Sequence, residues 1–126
     1  MPVSRASILL VPVADQERAL AFYRDALGFS VFADNQVAPT MRWLHLRAPG
    51  GGLDLTLADW LGDDAGRLQG LFLEVDDLDA AGAAVEAAGY AFAQDVDETP
   101  FGRMRPLADP DGNQLVLHQP TAGLLD

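Results

Sequence analysis

The sequence predicts an α+β fold made of two tandem βαβββ modules, residues 1–57 and 70–120, with a linker at 58–69 and a tail at 121–126. Three observations predict it. An apolar, strand-like run enters a helix-capping aspartate twice, at 8–13 into Asp15 and at 71–75 into Asp77. Each aspartate opens a helical stretch that closes on a glycine, Gly28 or Gly89. Two Pro/Gly turns, at Pro49/Gly51 and Pro110/Gly112, then recur at the same repeat spacing to within one residue.

The elements follow in order. Asp15 can accept hydrogen bonds from the first free N–H groups of a helix. Ala19, Phe22, Tyr23, Ala26 and Leu27 then form one apolar stripe at helical period. Gly28 tolerates the left-handed conformation that ends a helix. A strand is predicted at 30–33, followed by a hairpin of 41–47 and 52–57 around Ala48-Pro49-Gly50-Gly51. In the second module the helix at 78–88 is alanine-rich and contains Gly82, so it is expected to lie close to whatever it covers. A strand at 90–94 and a hairpin of 104–108 and 114–118 around the 109–113 turn complete the repeat.

A helix covers one face of each sheet and leaves the other free to form a cavity. Strand alternation assigns Leu44, Leu46, Leu55, Leu57, Leu115 and Leu117 to the helix side. The open side receives Met41, Trp43, His45, Arg47, Asp54 and Thr56 from the first module. From the second it receives Phe72, Glu74, Met104, Gln114, Val116 and His118. A four-residue turn would set His45 across from Asp54 and Trp43 across from Thr56. Aromatic and sulfur side chains among a few polar groups suit a planar or amphipathic ligand, with Trp60 and Phe101 in flanking loops. The competing reading is that these side chains pack between modules or at a dimer interface.

Composition narrows the function classes. There is no cysteine, which removes disulfides, thiolate metal sites and cysteine nucleophiles. The net charge of −11 repels phosphate backbones, so no nucleic-acid partner is expected. That acidity serves solubility or, alternatively, a cavity attracting cationic ligands. No apolar run approaches the roughly 20 residues of a membrane span, and residues 1–7 are not followed by an export-type apolar region. No membrane partner is expected, and the expected location is cytoplasmic.

The stretches VPVADQERALAFYRDALGF, LFLEVDDLDAAGAAVEAAG and FGRMRPLADPDGNQLVLHQ resemble the vicinal oxygen chelate superfamily. That group includes glyoxalase I, extradiol dioxygenases, fosfomycin-resistance enzymes and bleomycin-binding proteins. The resemblance covers residues 6–119 and implies an open-faced curved sheet with a central cleft, commonly in a homodimer. Metal-dependent members place one ligand on each of four strands. The corresponding positions here are Ile8, Asp54, Gly70 and Val116, of which only Asp54 can coordinate a cation. The segment Thr99-Pro100-Phe101-Gly102-Arg103 resembles the P-W-G-R segment of bleomycin-binding relatives, with phenylalanine for tryptophan, although it also serves as a turn.

The expected function is therefore binding of a small amphipathic or cationic molecule, by a homodimer and without the usual metal or another cofactor. Met41, Trp43, Arg47, Thr56, Phe72, Glu74, Phe101, Met104, Gln114 and His118 would line the cleft. The alternative is a lyase, isomerase or dioxygenase. It would use a rearranged divalent-metal site of His45, Asp54 and His118, or His45 and Asp54 as a metal-free catalytic acid–base pair. A third reading is an accessory protein whose cleft its own side chains fill.

Overall fold

The computed structural model describes residues 2–123. Of the expected tail, 124–126 lie outside the described residues. The first module runs β1 (Ile8–Pro12), α1 (Gln16–Ala21), β2 (Ser30–Ala38), β3 (Met41–Arg47) and β4 (Asp54–Ala58). The second runs β5 (Leu71–Glu74), α2 (Leu78–Ala87), β6 (Asp97–Thr99), β7 (Gly102–Ala108) and β8 (Gln114–Pro120). They form two separate four-stranded sheets, ordered β1-β4-β3-β2 and β5-β8-β7-β6. In each, the first strand runs parallel to the last, and the hairpin strands are antiparallel.

Both predicted caps form. The Asp15 carboxylate accepts from the N–H groups of Glu17 and Arg18, and that of Asp77 from Ala80. The first helix departs from a regular α-helix: it continues as a π-helical turn over Phe22–Ala26. The wider turn accompanies the burial of two consecutive aromatics, Phe22 and Tyr23, both fully enclosed. Gly82 lies as close to its neighbours as expected; a Cβ there would come 3.4 Å from Arg105 Nη1 and 3.8 Å from Phe92.

Several boundaries differ from the sequence expectation: β7 begins at Gly102 rather than 104 and β8 runs to Pro120 rather than 118, and three further differences have a local cause. β2 extends to Ala38 rather than ending at 33, because polar residues 34–36 pair with β3 on an exposed edge, where water tolerates them. The strand expected at 90–94 lies instead at Asp97–Thr99. Tyr90 and Phe92 alternate like strand residues but pack inward, Tyr90 edge-on to Phe22 at 4.9 Å and Phe92 under the Arg105 guanidinium at 3.8 Å. The strand expected to begin at 52 begins at Asp54, since Gly51 and Gly52 both hold positive φ (77° and 89°) that a β-ladder does not accept.

One core serves both modules. Val11, Leu44, Leu46, Leu55 and Leu57 from the first sheet join Leu78, Val85, Leu107, Leu115 and Leu117 from the second half. The modules meet where α2 packs on the π-helical turn and where the 109–113 turn reaches the first module. There Tyr23 Oη donates to Asp109 Oδ2 at 2.8 Å, and Asn113 Nδ2 donates to the Pro12 carbonyl at 2.9 Å. The linker is pinned to the same turn: a Cβ on Gly66 would fall 2.1 Å from the Asp111 carbonyl oxygen. Because the helix sides of both sheets converge on this core, their open faces look outward, and Ile8 (42% exposed), Phe32 (53%) and Phe72 (50%) are left in solvent. The open faces do not close on each other within one chain.

Candidate functional site

The first open face is built by β3 and β4. His45 pairs with Thr56, not with Asp54 as the four-residue turn would require. The positive-φ glycines lengthen the connection and shift the register by two. A shift of two keeps every side chain on its expected face, so the His45–Asp54 contact survives diagonally. His45 Nε2–H donates to Asp54 Oδ2 at 2.8 Å, and Arg47 Nε–H donates to the same oxygen at 3.0 Å. His45 and Asp54 are buried, whereas the Arg47 side chain is 45% exposed. Burial pushes the Asp54 carboxyl up, but the hydrogen bonds from His45 and Arg47 and their charge outweigh it and hold it below the usual carboxylate range.

Aromatic side chains frame this triad. Trp43 stacks on Trp60, with centroids 6.0 Å apart and 23° between planes. Phe32, absent from the sequence expectation, lies under the Arg47 guanidinium (3.6 Å to the ring centroid) and against His45 (4.9 Å between ring centroids). Pairing along β2 passes from Val31–Leu46 to Ala33–His45, so Phe32 is the extra residue of a bulge. A bulge changes which face a residue occupies, and strict alternation cannot locate it. Met41 is half-buried at the start of β3. Thr56 is fully buried, and its Oγ1 meets no partner among the described residues.

The second open face gathers Phe72, Glu74, Val116, Met104 and His118 through the β5–β8 and β7–β8 pairings. His118 Nε2–H donates to the Phe101 carbonyl at 2.9 Å, and Phe72 stands edge-on to its ring. The Phe101 ring is exposed at the tip of the β6–β7 turn. Gln114 is turned back onto the Gly112 carbonyl at 3.2 Å. The expected ligand-binding residues thus divide between two faces of one chain, and His118 is not brought to His45 and Asp54. Among the described residues no group of three or more His, Asp or Glu side chains is placed to hold a metal ion. A cavity of about 640 Å³, not foreseen from sequence, opens along β5, between Leu27, Phe29 and the Pro49 turn on one side and Leu71–Asp76 on the other.

The profile of the Glyoxalase/Bleomycin resistance protein/Dioxygenase superfamily matches residues 5–117. The chain belongs to this superfamily. It is similar in structure to TnmS3, an antibiotic binding protein from Streptomyces sp. CB03234, at 39% identity over 96% of this chain and 99% of that one, with a TM-score of 0.87. A glyoxalase/bleomycin resistance protein from the same Streptomyces is 40% identical, covers 92% of this chain and 100% of that one, and gives a TM-score of 0.79. A superfamily member from Sphaerobacter thermophilus is 31% identical over 94% and 99%, with a TM-score of 0.82.

The superfamily's metal does not fit the donors present. Ile8, Gly70 and Val116 carry no coordinating side-chain atom. Asp54 already accepts two hydrogen bonds on one oxygen. The pairing register also bears on the second ligand position. Val116 pairs with Phe72, and the Phe72 counterpart in the first repeat, Leu10, pairs with Thr56. Thr56 is therefore the internal counterpart of Val116, and substituting it for Asp54 leaves the set poorer still.

Proposed function

We propose that this superfamily member binds and sequesters a small, flat amphipathic molecule against the open face of its first sheet, without a metal, in the cytoplasm. One observation carries the reading: an aromatic face, formed by exposed Phe32 and the half-buried, stacked Trp43–Trp60 pair, borders the hydrogen-bonded triad of His45, Arg47 and Asp54. Such a surface offers stacking area and a few orienting groups but, among the described residues, no cluster of metal donors. The likeness to an antibiotic binding protein supports a small-molecule ligand. The outward open faces, on which Phe32, Phe72 and Phe101 stand exposed, support a homodimer in which a second copy lays its second sheet over the first, burying Phe72 and Phe101 and completing the cleft. No helix among the described residues is long and apolar enough to cross a membrane.

The test is a tryptophan-fluorescence titration with flat amphipathic compounds, alongside thermal unfolding. A compound at about 100 times its Kd adds about 2.7 kcal/mol of stability, which reads as several degrees in Tm. Trp43→Ala is expected to weaken that binding at least tenfold. Near-stoichiometric zinc, nickel, manganese or iron in protein purified without chelator, lost in Asp54→Ala, would overturn the metal-free reading.

One observation favours a second reading, in which the protein is an enzyme. The buried 2.8 Å His45–Asp54 contact is the arrangement of a general base held by a carboxylate. On that reading His45→Ala abolishes turnover while ligand affinity is kept.

A further inference from the structure

We infer that Arg47 is the polar anchor of the bound molecule, and that the molecule presents to it an oxygen acceptor, a carboxylate, phenolate or carbonyl, rather than a cation. The inference rests on the binding site proposed above and goes further by naming the ligand's chemistry. Three observations on the page carry it.

First, the guanidinium is held but not consumed. Its Nε–H is taken by Asp54, and no acceptor among the described residues meets Nη1 or Nη2. The group lies 3.6 Å over the Phe32 ring, which fixes its plane, and the side chain remains half in solvent. A planar fork fixed on two sides and open on the third suits an oxygen acceptor with bidentate geometry.

Second, the face presents donors around its carboxylate rather than an open anionic site. Among the described residues of this face Asp54 is the one acidic group; it is buried, its Oδ2 accepts from both His45 and Arg47, and only Oδ1 is without a donor. His45 turns its Nε2–H inward, and Thr56 is enclosed. On this chain's own face, an incoming cation would meet the guanidinium before the buried Asp54 carboxylate.

Third, the net charge of −11 acts at a different range. Part of it is already offset in pairs away from this triad, where Asp34 and Glu17 meet Arg42, and Asp79 and Glu98 meet Arg103. At physiological salt, charges beyond about 8 Å are largely screened. The acidity slows the approach of an anion but does not choose the group that docks at contact distance.

The experiment compares two probes with the same ring and opposite charge, 1-naphthoate and 1-naphthylmethylammonium, by tryptophan quenching at pH 7 in 0.15 M salt. The naphthoate is expected to bind at least tenfold more tightly. Arg47→Lys keeps the charge but loses the fork. It is expected to raise the naphthoate Kd about tenfold and to change the ammonium Kd less than twofold. Phe32→Leu frees the guanidinium without removing it and is expected to weaken naphthoate about three- to fivefold. Unchanged circular dichroism in both variants separates these effects from misfolding. Equal or tighter binding of the ammonium, or an Arg47→Lys protein that binds naphthoate like the wild type, overturns the inference while leaving the binding site standing. If neither probe quenches in a Trp43-dependent way, the site itself fails and the inference fails with it.

Discussion

Replacing Asn113 with alanine is expected to lower the unfolding free energy by about 2–3 kcal/mol. Asn113 is fully buried and joins three segments. Its Nδ2 donates to the Pro12 carbonyl at 2.9 Å and to Asp109 Oδ2 at 2.8 Å, and its Oδ1 accepts from Leu68 N–H at 2.9 Å. Alanine leaves the Leu68 N–H without a partner, at about 1–3 kcal/mol for a buried orphan, while the Pro12 carbonyl loses one of two donors and keeps the Gly66 N–H at 2.9 Å. Asp109 is less affected, because Tyr23 and the Asp111 and Asn113 N–H groups still donate to it. Burial, and then the charge and hydrogen bond of Asp109, push the Tyr23 phenol far up, so this donor stays protonated. Urea unfolding checks the prediction: the midpoint falls while the slope stays constant if the two modules still unfold together. Tyr23→Phe, which removes one of several donors, is expected to cost about 1–2 kcal/mol. A loss below 1 kcal/mol for Asn113→Ala would mean that water replaces the asparagine and that the modules are held by apolar contact alone.

Asp54→Ala is expected to cost about 2–4 kcal/mol at pH 7, because it strips buried His45 and stacked Arg47 of their common acceptor. Exposure of the guanidinium keeps the figure from rising further, since water can solvate its free side. The pH dependence has a definite sign. The folded-state pKa of Asp54 lies below the ordinary carboxylate value, which is about 3.9 in an unfolded chain. The stability it contributes is therefore present above about pH 4 and is lost as pH falls through the folded-state pKa. Asp54→Asn removes that share, so the stabilities of variant and wild type should converge as pH falls below about 4, the ordinary carboxylate value. If the gap between them stays constant as pH falls from about 7 to well below about 4, the carboxylate's charge contributes nothing and only its shape matters.

Much of the architecture is legible in the residues because local chemistry decides it. Asp15 and Asp77 cap helices wherever a helix begins, and alternating leucines in β4 and β8 bury one face wherever a sheet finds a cover. The first-sheet members of the candidate site were legible for the same reason, since His45, Arg47, Asp54 and Thr56 fall on one side at period two. The register of the His45–Asp54 contact is not legible, because the length of a turn rich in glycine depends on backbone conformations that composition does not specify. The position of β6 is not legible either: Tyr90 and Phe92 alternate as a strand would, yet they pack on Phe22 and Arg105.

Acting alone, the sequence determined the repeat, the helix caps, the division of each strand into two faces and the absence of donors at Ile8, Gly70 and Val116. These depend on residue type and near neighbours in the chain. Tertiary structure alone decided that both helix sides share one core, that the open faces point outward, and that a bulge sets Phe32 beneath Arg47. Those outcomes depend on contacts between residues far apart in the chain, where packing and backbone register are settled jointly.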